Sequence, residues 1–406
     1  MIRRMIEWIV TFGAGLLTPP LQRPQVSSMQ QSDPLGIQGD LRFGRVRGRE
    51  TRAQHRVKRK VRFRVIASPV LLIALAEICA AQDSSSPVAD EHRLVLVVRG
   101  TSGTEEYGRQ FDEWAERWLL AARQGKAEAV RIGPNGAGAA SEETLTDYEK
   151  LQRVLGTFGA KHGGSDSAEL WIVLIGHGTF DGRTARFNLE GPDVSDNELS
   201  QWLEPLRCRT AIVNCASSSG PFLKTLARHG RVVITSTKSG AEQNFSRFGD
   251  HLSKAIGDAS FDLDKDGQTS LFEAFLSASR QTEQFYETEG RLATEHALLD
   301  DTGDGQGTRA DFFRGIRLVK QTNDGTEADG RIAHQFHLVR SDVEQSLPPD
   351  VRAKRDEIEQ QVLALRDRRK QFANEAAYYA ELEPLLIRLA EAYELAIVQK
   401  EKPASN

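Results

Sequence analysis

Between residues 92 and 257 the apolar positions alternate between two patterns. Unbroken runs occur at 93–98 (RLVLVV), 170–175 (LWIVLI), 210–214 (TAIVN) and 231–237 (RVVITST). Between them apolar residues recur every three or four positions, as in 106–124, where Phe111, Trp114, Trp118 and Ala122 form one stripe. Stretches 141–158, 195–206, 221–229 and 245–256 are helical in the same way. Continuous runs predict strands buried on both faces, and the amphipathic stretches predict the helices that cover them. The expected fold is α/β: a mostly parallel sheet with helices on both faces. Stretch 141–158 opens with a capping pattern, either Ser141-x-x-Thr144 or Thr146-x-x-Glu149.

After 257 the pattern changes. Residues 258–318 hold acidic, glycine-containing loops. An Asp-Gly turn at 329–330 opens an expected strand within 328–341, which puts His334 and His337 on opposite faces and makes them poor co-ligands. From 348 to 400 the chain reads as a helical hairpin outside the sheet. Ile358, Val362 and Leu365 form one stripe; Leu382, Leu386, Leu389 and Tyr393 form the other, with Pro384 as a kink or restart.

Charge adds a leader to this picture. Residues 1–81 carry fourteen Lys/Arg against five Asp/Glu, a net +9, which leaves −13 for the rest of a chain whose total is −4. An acidic body argues against nucleic acid as partner. In 57–82 five basic residues precede the apolar run 65–76, and Cys79 and Ala81 sit at −3 and −1 of a cleavage after Ala81. That is a signal-peptide layout, with an uncleaved membrane anchor at 65–76 as the alternative. It predicts an exported protein, with residues 1–56 disordered or a start-site artefact. Cleavage removes Cys79 and leaves Cys208 and Cys215. Seven extended residues separate them by ~23 Å, too far for a disulfide, so a thiol is available for chemistry.

Functional groups in an open parallel sheet gather at the carboxyl ends of strands. His177 follows the run 170–175 between two glycines, and Cys215 follows 210–214. A thiolate nucleophile and an imidazole at neighbouring strand ends are the parts of a cysteine protease. The glycines are expected to clear room for substrate.

These two segments resemble clan CD cysteine peptidases, the caspase-like group that includes legumains. The group has four apolar residues before His-Gly, and four apolar residues, an acid or amide, then Cys. Here Ile172-Val173-Leu174-Ile175-Gly176-His177-Gly178 and Ala211-Ile212-Val213-Asn214-Cys215 stand in that order. The resemblance covers about residues 93–257 and implies a caspase-like peptidase domain, 90–257, acting on a peptide or protein. It implies Cys215 as nucleophile, His177 as proton donor to the leaving amine, and the N–H groups of Gly178 and Cys215 as oxyanion hole. Val213 replaces the acid that legumains carry two positions before the cysteine, so their asparagine specificity does not transfer. Arg109, Lys238 and Glu242 are the candidate pocket charges.

The segment 262–273 (DLDKDGQTSLFE) matches an EF-hand calcium loop. Asp262, Asp264 and Asp266 take positions 1, 3 and 5, and Gly267 the sharp turn. Gln268 offers its carbonyl, Ser270 stands at 9 and Glu273 at 12. A looser echo at 300–311 offers Asp300, Thr302, Asp304 and Asp311. Two other readings stay open: a transpeptidase using the same acyl-enzyme, and a non-catalytic calcium-binding module of peptidase-derived fold.

Overall fold

The computed structural model describes residues 92–134, 145–165, 167–320 and 327–401, with side chains to residue 394. The leader expected at 57–81, the preface 1–56 and the Ser141/Thr144 cap lie outside these residues. Among the described residues no helix is long and apolar enough to cross a membrane.

In chain order the strands are β1 (Arg93–Arg99), β2 (Glu128–Ile132), β3 (Glu169–Ile175), β4 (Gly178–Phe180), β5 (Ala185–Phe187), β6 (Val194–Ser195), β7 (Arg209–Asn214), β8 (Arg231–Thr235) and β9 (Leu298–Asp300). The helices are α1 (Glu105–Gln124), α2 (Asp147–His162), α3 (Asp196–Leu203), α4 (Gly220–Leu226), α5 (Phe248–Ala255), α6 (Leu271–Thr288), α7 (Asp342–Gln345), α8 (Pro349–Asp367) and α9 (Glu375–Glu401). The central sheet runs β2-β1-β3-β7-β8-β9, and β4, β5 and β6 form a small sheet beside it. All central pairings are parallel except β8 with β9.

Alternation along the strands builds two cores, one on each face. Val95, Val97, Trp171, Val173, Ile175, Val213 and Ile234 pack with residues of α1, α5 and α6. Leu94, Leu96, Val98, Leu170, Ile172, Leu174 and Val233 pack with residues of α2, α3 and α4. The fold is therefore a mostly parallel α/β sheet covered on both faces. The Thr146–Glu149 capping box is formed and starts α2, with both reciprocal bonds in place.

The amino ends of the strands are held by a buried ion cluster. Glu169 accepts from Arg93 Nε at 3.1 Å and Trp171 Nε1 at 2.7 Å, with Arg340 at 3.7 Å and Arg209 at 3.9 Å. Burial alone would raise its pKa. The guanidinium of Arg93 leads those of Arg209 and Arg340 in reversing that, and the carboxyl is pushed down to about 2. At the far edge Leu299 of β9 exchanges backbone hydrogen bonds with Thr308, at 3.1 and 2.7 Å.

One expected strand is corrected, one of two alternatives at Pro384 falls, and one strand is added. Strand β2 was not singled out by the apolar pattern; its residues are mostly half-exposed at the sheet edge. The strand expected within 328–341 is instead a strap containing a 3-10 turn at Ala333–Gln335. The buried Asp301 carboxylate accepts the N–H groups of Gly330, Ile332 and Ala333, at 3.0, 2.7 and 2.9 Å, and those bonds curl the backbone away from a ladder. The hairpin turns at residues 368–374, and α9 runs through Pro384 rather than restarting there. It lies outside the sheet, but it is tied to the strap: Gln335 Nε2 donates to Asp356 O at 2.7 Å, and Arg331 pairs with Asp367 at 2.9 Å.

Candidate active site and cation loop

Strand register sets the first two candidates at neighbouring strand ends. Leu174 of β3 is the partner of Asn214 of β7, and Cys215 N–H donates to Leu174 O at 2.9 Å. Ile175 and Cys215 share one core, on the α1/α5 face. His177, two residues beyond Ile175, turns its ring to the same face. It meets Phe111 at 5.3 Å and Tyr107 at 5.4 Å, both edge-on. Phe111 in turn packs against Trp114 at 5.4 Å.

Cys215 is buried and His177 is half-buried. His177 Nε2 lies 3.2 Å from Ser102 O. A carbonyl only accepts, so Nε2 carries the proton and Nδ1 is left as the basic nitrogen. Burial lowers the pKa of the ring, and the Ser102 carbonyl opposes this. Cys215 is 1% exposed, and burial pushes its thiol up to about 12, with a smaller contribution from Glu295. Among the described residues no hydrogen bond joins Cys215 to His177. A Cβ at Gly249 would sit 2.8 Å from both Cys215 Cβ and the Trp114 ring, so glycine lets α5 close directly over the cysteine.

The expected oxyanion donors are both engaged. Cys215 N–H is committed to the sheet, which removes it from that role. Gly178 N–H donates to Ser217 Oγ at 3.2 Å, a hydroxyl that a substrate oxygen can displace. Nor does Gly178 clear room for substrate: a Cβ there would meet Ser217 O at 2.4 Å, so the glycine admits protein backbone.

The pocket charges are not gathered. Arg109 is exposed, with Glu105 at 4.0 Å. Lys238 and Glu242 pair at 3.7 Å. Glu242 also binds His296, through Nδ1 at 2.5 Å and N–H at 3.2 Å, while its own carbonyl accepts from Ser218 N–H at 2.8 Å. It is a tie between loops rather than a free pocket acid.

What covers the site was not legible in the sequence. Phe245 stacks on Tyr107 at 4.5 Å and faces His177 at 6.3 Å. Glu295 holds this cover. Its carboxylate accepts Ser246 Oγ at 2.6 Å, Arg247 N–H at 2.9 Å, Phe248 N–H at 3.0 Å and Tyr286 Oη–H at 3.0 Å. The bonds to the start of α5 replace a conventional N-cap. Glu295→Ala leaves these donors unpaired, with an expected loss of about 2 kcal/mol in urea unfolding. It should also speed alkylation of Cys215; a rate equal to wild type in the folded variant argues that Glu295 does not hold the cover.

Loop 262–273 folds back on its first aspartate. Asp262 accepts N–H from Lys265 at 2.5 Å and Gly267 at 2.9 Å, with Gly267 at φ +93°. Carboxylate oxygens of Asp262, Asp264 and Asp266 lie within 4.8 Å of one another. Burial, then the charge of Asp264, pushes Asp266 up to about 8, and the same two causes raise Glu273. These three crowded aspartates offer only oxygen donors, which fits a hard divalent cation. Glu273 accepts Leu263 N–H at 2.7 Å, which brings its carboxylate against the first half of the loop. Ser270 caps α6, its Oγ on Glu273 Oε2 at 2.8 Å, so its hydroxyl is committed to the helix. Gln268 side-chain Oε1 accepts Ser341 N–H at 3.1 Å.

The second loop does not assemble. Asp300 accepts N–H from Gly303 at 2.7 Å and Gly305 at 2.6 Å, and Asp304 accepts from Gln306 N–H at 2.8 Å. Thr302 Oγ1 has no partner. The Leu299–Thr308 pairing then closes the loop early, and Asp311 turns out to Arg309 and Lys320. Among the described residues no metal-sized cluster forms there.

No family model and no curated protein matches the chain. Among solved structures it is similar to the Drosophila initiator caspase Dronc, at 9% identity over 54% of this chain and 83% of that one, with a TM-score of 0.34. A protein from Geobacter sulfurreducens is similar at 12% identity over 56% and 99%, TM-score 0.31. Raptor from Chaetomium thermophilum follows at 10%, over 41% and 18%, TM-score 0.27. The fold is defined by the sheet itself.

Proposed function

We propose that the chain is an exported, caspase-like cysteine endopeptidase with Cys215 as nucleophile and His177 as its proton-handling partner. The observation that carries this is their placement just past the carboxyl ends of adjacent parallel strands, with Cys215 in the core that Phe111 shares and the His177 ring against Phe111. In the reaction, the Cys215 thiol gives its proton to His177 Nδ1 and its sulfur attacks the scissile carbonyl carbon. The tetrahedral oxyanion takes the Gly178 N–H in place of Ser217 Oγ. His177 then protonates the leaving amine as the C–N bond breaks, and water hydrolyses the thioester. An added amine that captures the thioester identifies transpeptidation instead. Substrate must displace the Phe245–Tyr107 cover, so this arrangement is a closed one.

The burial and high pKa of Cys215 favour a second reading, a non-catalytic module of the same fold. A library of peptidyl acyloxymethyl ketones with varied first residues separates the two. Labelling at Cys215 supports the peptidase and reports the pocket; an intact, folded protein that no member labels supports the module.

Calcium is the ion we assign to loop 262–273, with Asp262, Asp264, Asp266, the Gln268 carbonyl and Glu273 holding it. Calcium binds the folded state alone, so a hundredfold excess over Kd is expected to add about 2.7 kcal/mol of stability. Glu273→Gln should lose most of that gain in calcium and chelator melts. A wild-type melting temperature that ignores chelation removes calcium from the account.

A further inference from the structure

We propose that His334 belongs to the cation site of loop 262–273 as the residue that holds Asp264, so that filling the loop fastens the C-terminal strap. The inference rests on the reading of that loop as a cation site.

His334 reaches the loop from far along the chain. Its Nε2 lies 2.9 Å from Asp264 Oδ2, and donor atoms of Asp264, Glu273 and His334 all fall within 4.8 Å of one another. The imidazole is fixed from behind. The 3-10 turn that presents it is pinned by the three N–H bonds to Asp301. Phe272 of α6 meets the ring edge-on at 6.4 Å. Two more bonds run between strap and loop region: Leu271 N–H to Phe336 O at 2.8 Å, and Ser341 N–H to Gln268 Oε1 at 3.1 Å. Beyond the turn, Gln335 and Arg331 carry the contact on to α8.

The chemistry follows from the two oxygens of Asp264. A carboxylate at the third loop position gives one oxygen to the ion. Its other oxygen is buried and needs a donor, and His334 Nε2–H supplies it. Removing that donor leaves the buried carboxylate held only by Asp266 N–H on Oδ1, at 3.3 Å, and so less firmly aimed at the ion. Partners of this kind govern metal affinity by about 10- to 100-fold. Coupling between binding sites is reciprocal, so a strap that strengthens ion binding must itself be held more firmly when the ion is bound.

The test uses the full chain, calcium calorimetry and hydrogen exchange. His334→Ala is expected to weaken calcium binding about 10- to 100-fold, with His334→Gln, which keeps an N–H donor, recovering part of the loss. In wild type, calcium should slow exchange in residues 329–341 as well as in 262–273. In His334→Ala, saturating calcium should protect the loop and leave the strap fast. An unchanged Kd in the folded alanine variant overturns the proposal, as does strap exchange in wild type that ignores calcium while the loop responds. Should the alanine variant not fold, the glutamine variant decides by the same two readouts. Wild type that binds no calcium at all overturns the underlying loop reading, and the inference with it.

Discussion

The Cys215→Ala protein is expected to take up no peptidyl acyloxymethyl ketone, while Cys208→Ala labels like wild type. Cys208 is equally a free buried thiol, but it packs on the opposite face of the sheet from His177. His177→Ala should lower peptide hydrolysis by about 10²- to 10⁴-fold, the span of a single acid–base group. The pH dependence separates closed from open forms. A small alkylating agent such as iodoacetamide meets the covered thiol, whose pKa of about 12 keeps it protonated at neutral pH. Its rate should climb with pH through the alkaline range. A peptidyl probe displaces the cover and brings His177 to the sulfur, so its rate should level off near neutrality. Identical profiles for the two reagents would mean that the dyad never forms.

Glu169→Ala should destabilise the domain by about 3–5 kcal/mol, because it removes the one carboxylate that three guanidinium groups share at a buried site. The intact carboxyl also sets an acid limit. Its pKa is about 2 in the folded chain and ordinary when unfolded, so its contribution is complete above roughly pH 4.5. That contribution disappears as pH falls from there to about 2, and its size is about 3 kcal/mol. Denaturant unfolding at stepped pH should show this loss in wild type and not in Glu169→Gln. Parallel pH slopes in the two proteins would remove Glu169 as the cause.

Strands β1, β3, β7 and β8 were legible because burial on both faces demands unbroken apolar runs, and the run fixes where each strand ends. Once those ends are known, His177 and Cys215 stand out without further information. Strand β2 escaped because an edge strand needs no such run: Glu128 and Arg131 are compatible with its position. The strap was misread for a different reason. Its alternating apolar residues suit a ladder, but the carboxylate of Asp301, distant in sequence, claims the backbone donors first. The poor co-ligand geometry expected of His334 belongs to a strand that does not form. Burial of Cys215 depends on Gly249, a glycine whose meaning appears only when α5 is laid across β7. Loop 262–273 was readable because its turn is local, each aspartate binding backbone a few residues on. The same locality made 300–311 look similar, and only the Leu299–Thr308 pairing shows why it diverges.

That pairing also bears on how copies of the chain can meet. An open strand edge is a template on which another molecule can add. On β9 the main-chain groups of Leu299 that face outward are already taken by Thr308. Growth of the sheet from copy to copy is therefore blocked at this end. The other end is β2, where the buried Arg131 side chain is clasped by Asp112 and Glu116 and the exposed Glu128 sets charge on the border. A six-stranded sheet with one sealed and one charged margin resists growth through its edges, which keeps copies of the chain apart.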